Sequence, residues 1–179
     1  MKIERIVVGG LETNSYILES DRIGIIVDPG DEAERILNAV GDLEIKIILA
    51  THRHFDHITA LGQVKQTLGK KAAIHPLDWV AGFDEKLHDG QVIEFGDEEL
   101  KVIHTPGHTP GGCCFLMENV LISGDTLFPG GPGNTSFPDG DERTILCSIR
   151  EKLMVLPDQT VVYPGHGPKT TIGRERALY

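Results

Sequence analysis

The sequence predicts an α/β sandwich of four layers (αβ/βα): two mixed β-sheets packed face to face, helices outside, and a site at one edge between them. Two observations carry this expectation. Strands and helices alternate in two successive runs with mixed connections, and residues able to bind metal sit in Gly- or Pro-bounded loops directly after four strands. Residues 3–8, 14–18 and 23–27 read as strands, short, β-branched and separated by turn residues. Asp28-Pro29-Gly30 ends the third. Residues 31–40 then carry apolar side chains at helical spacing (Ala33, Ile36, Leu37, Val40), with Asp31 as N-cap. The apolar run Ile45–Leu49 is a strand leading into Thr51-His52, and a helix is expected from about Ile58 to Leu68. A short strand at 72–74 and a short helix at 76–83 close the first half.

Strands dominate the second half, at 91–95, 99–104, 112–117 and 120–123. A Gly/Pro-rich loop over 129–140 precedes a helix at about 141–154, and a strand at 160–163 runs into Pro164-Gly165-His166-Gly167.

With 179 residues, 40% of them apolar and 25% charged, the chain is expected to form one domain over 1–179. The net charge of −10 argues against nucleic acid as a partner. No stretch approaches the run of about 18 apolar residues that a membrane span needs, and residues 1–10 do not read as a signal peptide. Three cysteines, Cys113, Cys114 and Cys147, show no CxxC spacing, so a reducing cytoplasm is expected. In a strand, Cys113 and Cys114 point to opposite faces as small packing residues.

The chemistry concentrates in Thr51-His52-Arg53-His54-Phe55-Asp56-His57. Imidazole and carboxylate are ordinary ligands of zinc and similar divalent ions. In an extended stretch, residues 52, 54 and 56 project to one side, and a turn into the next helix brings His57 to the same region. Three later loops each add a donor: Thr105-Pro106-Gly107-His108-Thr109-Pro110-Gly111, then Ser123-Gly124-Asp125-Thr126, then Tyr163-Pro164-Gly165-His166-Gly167. His75, His88 and His104 are read as surface or hydrogen-bonded residues outside the site.

HxHxDH followed in order by TPGHTPG, GDT and PGHG resembles the metallo-β-lactamase superfamily, and within it the glyoxalase II-like (hydroxyacylglutathione hydrolase-like) branch. The match runs from Asn14 to about Gly173. The resemblance implies two divalent metal ions, zinc first, with iron or manganese compatible. It assigns one ion to His52, His54 and His108, the other to Asp56, His57 and His166, and a bridging role to Asp125; Asp56 and Asp125 are thereby the catalytic carboxylates. Asp28 corresponds to an aspartate that supports the metal loops without binding metal. The implied reaction is attack by a metal-bridging hydroxide on an activated carbonyl, a thioester first of all, since a thiolate leaves without a separate acid.

The glyoxalase II family proper carries a C-terminal helical region that holds glutathione, and nothing like it follows His166 here. Lys169, Arg174 and Arg176 are the only cations in this tail and are the candidate substrate-binding residues. Two alternatives stand beside the thioesterase reading: a mononuclear iron persulfide dioxygenase-like oxidoreductase, which shares the motif set, and another hydrolase of the same fold such as a lactonase.

Overall fold

Two six-stranded sheets lie one on the other in a computed structural model that describes residues 1–179. The first contains β1 (Lys2–Val8), β2 (Thr13–Ser20), β3 (Ile23–Val27), β4 (Glu44–Leu49), β5 (Ala72–Ile74) and β6 (Glu85–Lys86), adjacent in that order. β1, β2 and β3 form an antiparallel meander, and β3 to β6 run parallel. The parallel steps need crossovers. α1 (Ala33–Val40) supplies one, and α2 (Phe55–Ile58) with α3 (Leu61–Leu68) another.

The second sheet is built from β7 (Val92–Phe95), β8 (Glu98–His104), β9 (Cys113–Met117), β10 (Val120–Gly124), β13 (Val161–Pro164) and β14 (Thr170–Thr171). Its spatial order is β14-β13-β10-β9-β8-β7, antiparallel except for the β10–β13 pair. That parallel step is crossed by a two-stranded ribbon, β11 (Leu127–Phe128) with β12 (Gly131–Pro132), and by α4 (Glu142–Ser148). α4 runs on through a wider turn closed by Met154 N–H to Ile149 O at 2.8 Å. α5 (Ile172–Glu175) ends the chain's regular structure with one further 3₁₀ turn.

Period-2 alternation sorts each strand's side chains into separate cores. Between the sheets, Tyr16, Leu18, Ile25 and Leu49 meet Val102, Phe115 and Ile122. Outside the first sheet, Ile17, Ile26 and Ile48 pack on Ile36 and Val40 of α1 and Leu61 and Val64 of α3. Outside the second, Ile103, Cys114, Leu121 and Val162 pack on Ile145, Ile149 and Ile172. The four expected layers are therefore present. Cys113 lies in the central core and Cys114 in the outer one, so the cysteine pair does straddle the sheet. No helix is long and apolar enough to cross a membrane.

The expected elements need four corrections. Glu32, not Asp31, occupies the α1 cap position, in a left-handed conformation (φ 50°); the Asp31 carboxylate instead accepts the Glu32 N–H. The helix expected from residue 58 breaks at Ala60, because the Ala60 N–H bonds to Pro29 O at 3.0 Å instead of continuing the first turn. That tertiary bond lets the turn holding His57 face a different way from α3. The helix expected over 76–83 is a single 3₁₀ turn, Pro76–Asp78. The loop over 129–140 contains part of the ribbon, and β14 and α5 were not foreseen.

Candidate metal centre

All four predicted loops open on the same edge of the sandwich, at the C-terminal ends of β4, β8, β10 and β13. Backbone bonds stitch them together, two of the three below crossing the seam between the sheets. Cys113 N–H donates to Thr51 O at 2.8 Å, Gly165 N–H to Gly124 O at 2.8 Å, and Asn14 N–H to Gly165 O at 2.7 Å. The Asn14 amide adds bonds to Pro164 O and Gly167 O. Gly165 has to be glycine: a Cβ there would lie 2.1 Å from Asp125 Oδ1.

Within this frame, all seven residues read as ligands come together. His52 Nε2 and His108 Nε2 lie 3.1 and 2.9 Å from His54 Nδ1. On the other side, His166 Nε2 is 3.4 Å from His57 Nε2 and 3.2 Å from Asp56 Oδ2. Asp125 stands between the two triads, Oδ1 at 3.4 Å from His57 Nε2 and Oδ2 at 3.5 Å from His108 Nε2. These are the spacings of donors sharing a cation: tetrahedral bonds of 2.0–2.1 Å put ligands about 3.3 Å apart.

The outer nitrogens decide the tautomers. His57 Nδ1–H donates to Asp28 Oδ2 at 2.9 Å, His108 Nδ1–H to Asn134 O at 2.7 Å, and His166 Nδ1–H to Leu11 O at 2.9 Å. His52 Nδ1–H faces Thr51 Oγ1 at 3.0 Å, and that hydroxyl gives its own proton to Asp28. Each of these four rings thus keeps its other nitrogen for the interior of the cluster. Lone pairs this close repel unless a cation lies among them, and the buried Asp125 Oδ1 has no hydrogen-bond donor of its own. The donor set fits divalent metal on both counts.

Electrostatics agree. Burial pushes His52 well below the usual imidazole range, and burial also lowers His54. Burial opposes charge on His57 as well, but Asp28 and Asp125 outweigh it and push that imidazole up to about 10, so its inner nitrogen holds a proton that a metal ion would displace. Burial likewise disfavours the Asp125 carboxylate, yet His57 and its neighbours hold it far below the ordinary carboxylate value. The pocket is organised around separated, complementary charge.

Asp28 is fully buried and takes three donors: Thr51 N–H, Thr51 Oγ1–H and His57 Nδ1–H, at 2.7, 2.7 and 2.9 Å. Its backbone is left-handed (φ 52°), a conformation that aspartate and asparagine tolerate better than most residues. Asp78, which sequence reasoning missed, plays a parallel part. It is fully buried; its Oδ2 accepts Arg53 N–H and Thr109 Oγ1–H, and its Oδ1 accepts Gly111 N–H, at 3.1, 2.6 and 2.7 Å. It thereby ties the loop of His52 and His54 to the loop of His108. An aspartate in His75-Pro76-Leu77-Asp78 carries no local signal of this role. The carbonyls of Leu11 and Asn134 were equally invisible, since a main-chain acceptor has no residue type.

The tail cations fall elsewhere. The Arg176 guanidinium is spent on Asp158, Met154 O and Leu156 O, at the opposite end of β13 from His166. Lys169 Nζ lies over the Tyr163 ring, 5.7 Å from its centre, and Arg174 is exposed on α5. None of the three touches the His/Asp cluster. His75 and His104 stack on each other away from it, as expected of residues that are not ligands.

The family model of the metallo-beta-lactamase superfamily matches residues 8–166. The hydroxyacylglutathione hydrolase GloC of Haemophilus influenzae is 37% identical over 202 aligned positions, which span 98% of this chain and 95% of that protein. Among solved structures, BLEG-1 B3 metallo-beta-lactamase superposes with a TM-score of 0.90 at 34% identity, covering 98% of this chain and 97% of that one. TTHA1623, solved in a di-iron-bound form, does so with a TM-score of 0.86 at 32% identity and 96% coverage of both chains. With its motifs converged on one edge of the sandwich and a family match over nearly its whole length, the chain belongs to the metallo-beta-lactamase superfamily.

Proposed function

We propose that the chain is a dinuclear metal-dependent hydrolase of thioesters, a small-molecule enzyme of the glyoxalase II-like branch working in a reducing cytoplasm. One observation carries the two-metal part: the buried, undonated Asp125 Oδ1 lies between the His52/His54/His108 triad and the Asp56/His57/His166 triad. The first triad would hold one divalent ion, the second another, and Asp125 would bridge them. Zinc suits this nitrogen-rich set, and iron and manganese are compatible with it. When bound, such ions lower the pKa of a water toward neutrality and polarise a carbonyl oxygen.

The chain's own residues prepare that chemistry. Asp28, Thr51, Asn134 and Leu11 fix the orientation of the imidazoles. Thr13 Oγ1–H donates to Asp56 Oδ2 at 2.9 Å, the same oxygen that faces His57 and His166, and so holds that carboxylate toward the cluster. No side-chain nucleophile competes: burial drives the Cys113 thiol well up and raises Cys114 to about 11, and both are buried in packed cores. A thioester suits a site with no proton donor dedicated to the leaving group, because a thiolate departs unprotonated. The likeness to GloC supports the same class. Glutathione would be accepted but loosely held, with Lys169 and Arg174 the cations left for its carboxylates.

Metal analysis of purified protein, paired with hydrolysis of S-lactoylglutathione and of uncharged thioesters, tests the reading. Close to two ions per chain and chelator-sensitive thioester hydrolysis are expected. Lys169→Ala with Arg174→Ala should raise KM for S-lactoylglutathione with kcat nearly unchanged. Oxygen consumption with glutathione persulfide, without thioester hydrolysis, would replace the hydrolase by the dioxygenase alternative.

A further inference from the structure

Beside the Asp56/His57/His166 triad lies a cleft of about 340 Å³ between the β1–β2 turn and the start of α2. Val8, Gly9, Gly10 and Leu11 form one side; Phe55 and Thr59 form the other; Asp56 stands at its inner end. Leu11 and Phe55 are 56% and 70% exposed, among the most exposed large apolar side chains of the molecule. Both are one step from the metal cluster along the chain or through it. The Leu11 carbonyl holds His166 Nδ1, and Phe55 sits between His54 and Asp56. Packing does not explain either side chain, and leaving a phenyl ring in water forgoes burial that nearly every core position achieves.

The charges of the cleft are equally specific. Its only ionisable members are Asp31 and Asp56, and no lysine or arginine lines it. A carboxylate-bearing group such as glutathione would meet repulsion there, whereas a neutral chain would meet Leu11 and Phe55.

We infer that this cleft is the subsite for an uncharged apolar chain attached to the scissile thioester carbonyl, with Leu11 and Phe55 as its walls. The inference rests on the hydrolase reading above. Continuity supports it: Asp56 belongs to both the ligand set and the cleft, so the cleft adjoins the place a carbonyl would take at the cluster. The chain could be the acyl group or the thiol group of the substrate, and the chemistry of recognition is the same for either.

The test uses metal-loaded full-length protein and two neutral series. In one, acyl groups from acetyl to octanoyl are carried on N-acetylcysteamine; in the other, acetyl is carried on alkane thiols of growing length. One series should gain about two- to fourfold in kcat/KM per methylene until the cleft is filled, the upper value being that of a fully buried methylene. The series that gains identifies the side that occupies the cleft. In Phe55→Ala and Leu11→Ala, checked for unchanged metal content, the ratio of long-chain to acetyl kcat/KM should collapse several-fold. Acetyl thioester turned over with no gain in either series would overturn the subsite and leave the hydrolase reading intact. No hydrolysis of any thioester would overturn both. A concentration-dependent dimer that Phe55→Ala abolishes would overturn the subsite by making this face a contact between copies.

Discussion

His52, His54, His57, His108 and His166 turn nitrogens toward one another at 2.9–3.4 Å. His75 and His104 do the reverse: their rings lie face to face, 4.0 Å between centres and 10° from parallel. Their nitrogens look outward to main-chain partners, His104 Nε2–H to Pro110 O at 2.9 Å and Leu77 N–H to His75 Nδ1 at 3.3 Å. Both groups are histidine-rich and partly buried, and both neighbour the loop of residues 105–111. They differ in where the lone pairs go. In the stack one nitrogen of each ring is paired with the backbone, and no ring nitrogen is aimed at its neighbour's. In the cluster the outer nitrogens of His52, His57, His108 and His166 are answered and the inner ones face each other, an arrangement a cation completes.

The strongest way to break the contrast is to remove the carboxylate between the two triads. Asp125→Ala should lower metal affinity by more than about 100-fold, beyond the range seen when only a supporting residue is lost. Both ions should be affected; full occupancy measured by metal analysis would remove Asp125 from the bridging position. Asp28 comes next. Asp28→Asn keeps an acceptor for His57 and tolerates the left-handed backbone, so roughly a tenfold loss of metal affinity is expected. Asp28→Ala loses the acceptor and strains the turn, and should approach 100-fold. Equal values for the two variants would show that the carboxylate does not act through His57.

Asp78→Asn sharpens the comparison within the cluster itself. The variant loses one acceptor shared between Arg53 N–H and the 109–111 loop, which costs about 1–3 kcal/mol when a buried group goes unpaired. Metal should weaken at His52/His54/His108 and hold at Asp56/His57/His166, seen as a split of two binding steps by calorimetry. The smallest effect belongs to the stack. Burial, with His104 alongside, holds the His75 imidazole down at about 4, below the ordinary imidazole value of 6.5. The unfolded chain therefore takes up this proton first. Stability from the stack is full above pH 6.5 and declines as pH falls toward 4. Urea midpoints between pH 7 and 4.5 should fall less steeply in His75→Phe than in the native chain, with metal content at neutral pH unchanged.

Much of this was readable beforehand because the informative residues carry their chemistry in their side chains. HxHxDH and the later His and Asp loops announce donors, and loops after strands announce where donors gather. The layers were readable because strands and helices alternate in two successive runs, and β3 is apolar on both faces, as a strand covered on both sides must be. What stayed hidden had a different physical character. Asp78 looks like any polar turn residue until the chain brings Arg53 and Gly111 to it. The Ala60 to Pro29 bond that breaks the helix joins residues no periodicity relates. Arg176 looked like a free cation because sequence shows charge but not the Asp158 carboxylate that answers it.

The seam between the sheets has a consequence for how the protein comes into being. Four donors come from residues 52–57 and three from residue 108 onward, and the pair His57–His166 is 109 positions apart. Ligands so distant along the chain meet only after both sheets have formed and docked, which places completion of the metal ring late in folding. An ion captured at that moment locks the two halves together. At a free concentration 1,000 times its dissociation constant, it adds about 4 kcal/mol to the native state. Scarcity of metal in the cell would thus shorten the life of newly made chains as well as silence them, since an unlatched seam returns each molecule to the pool that proteases sample.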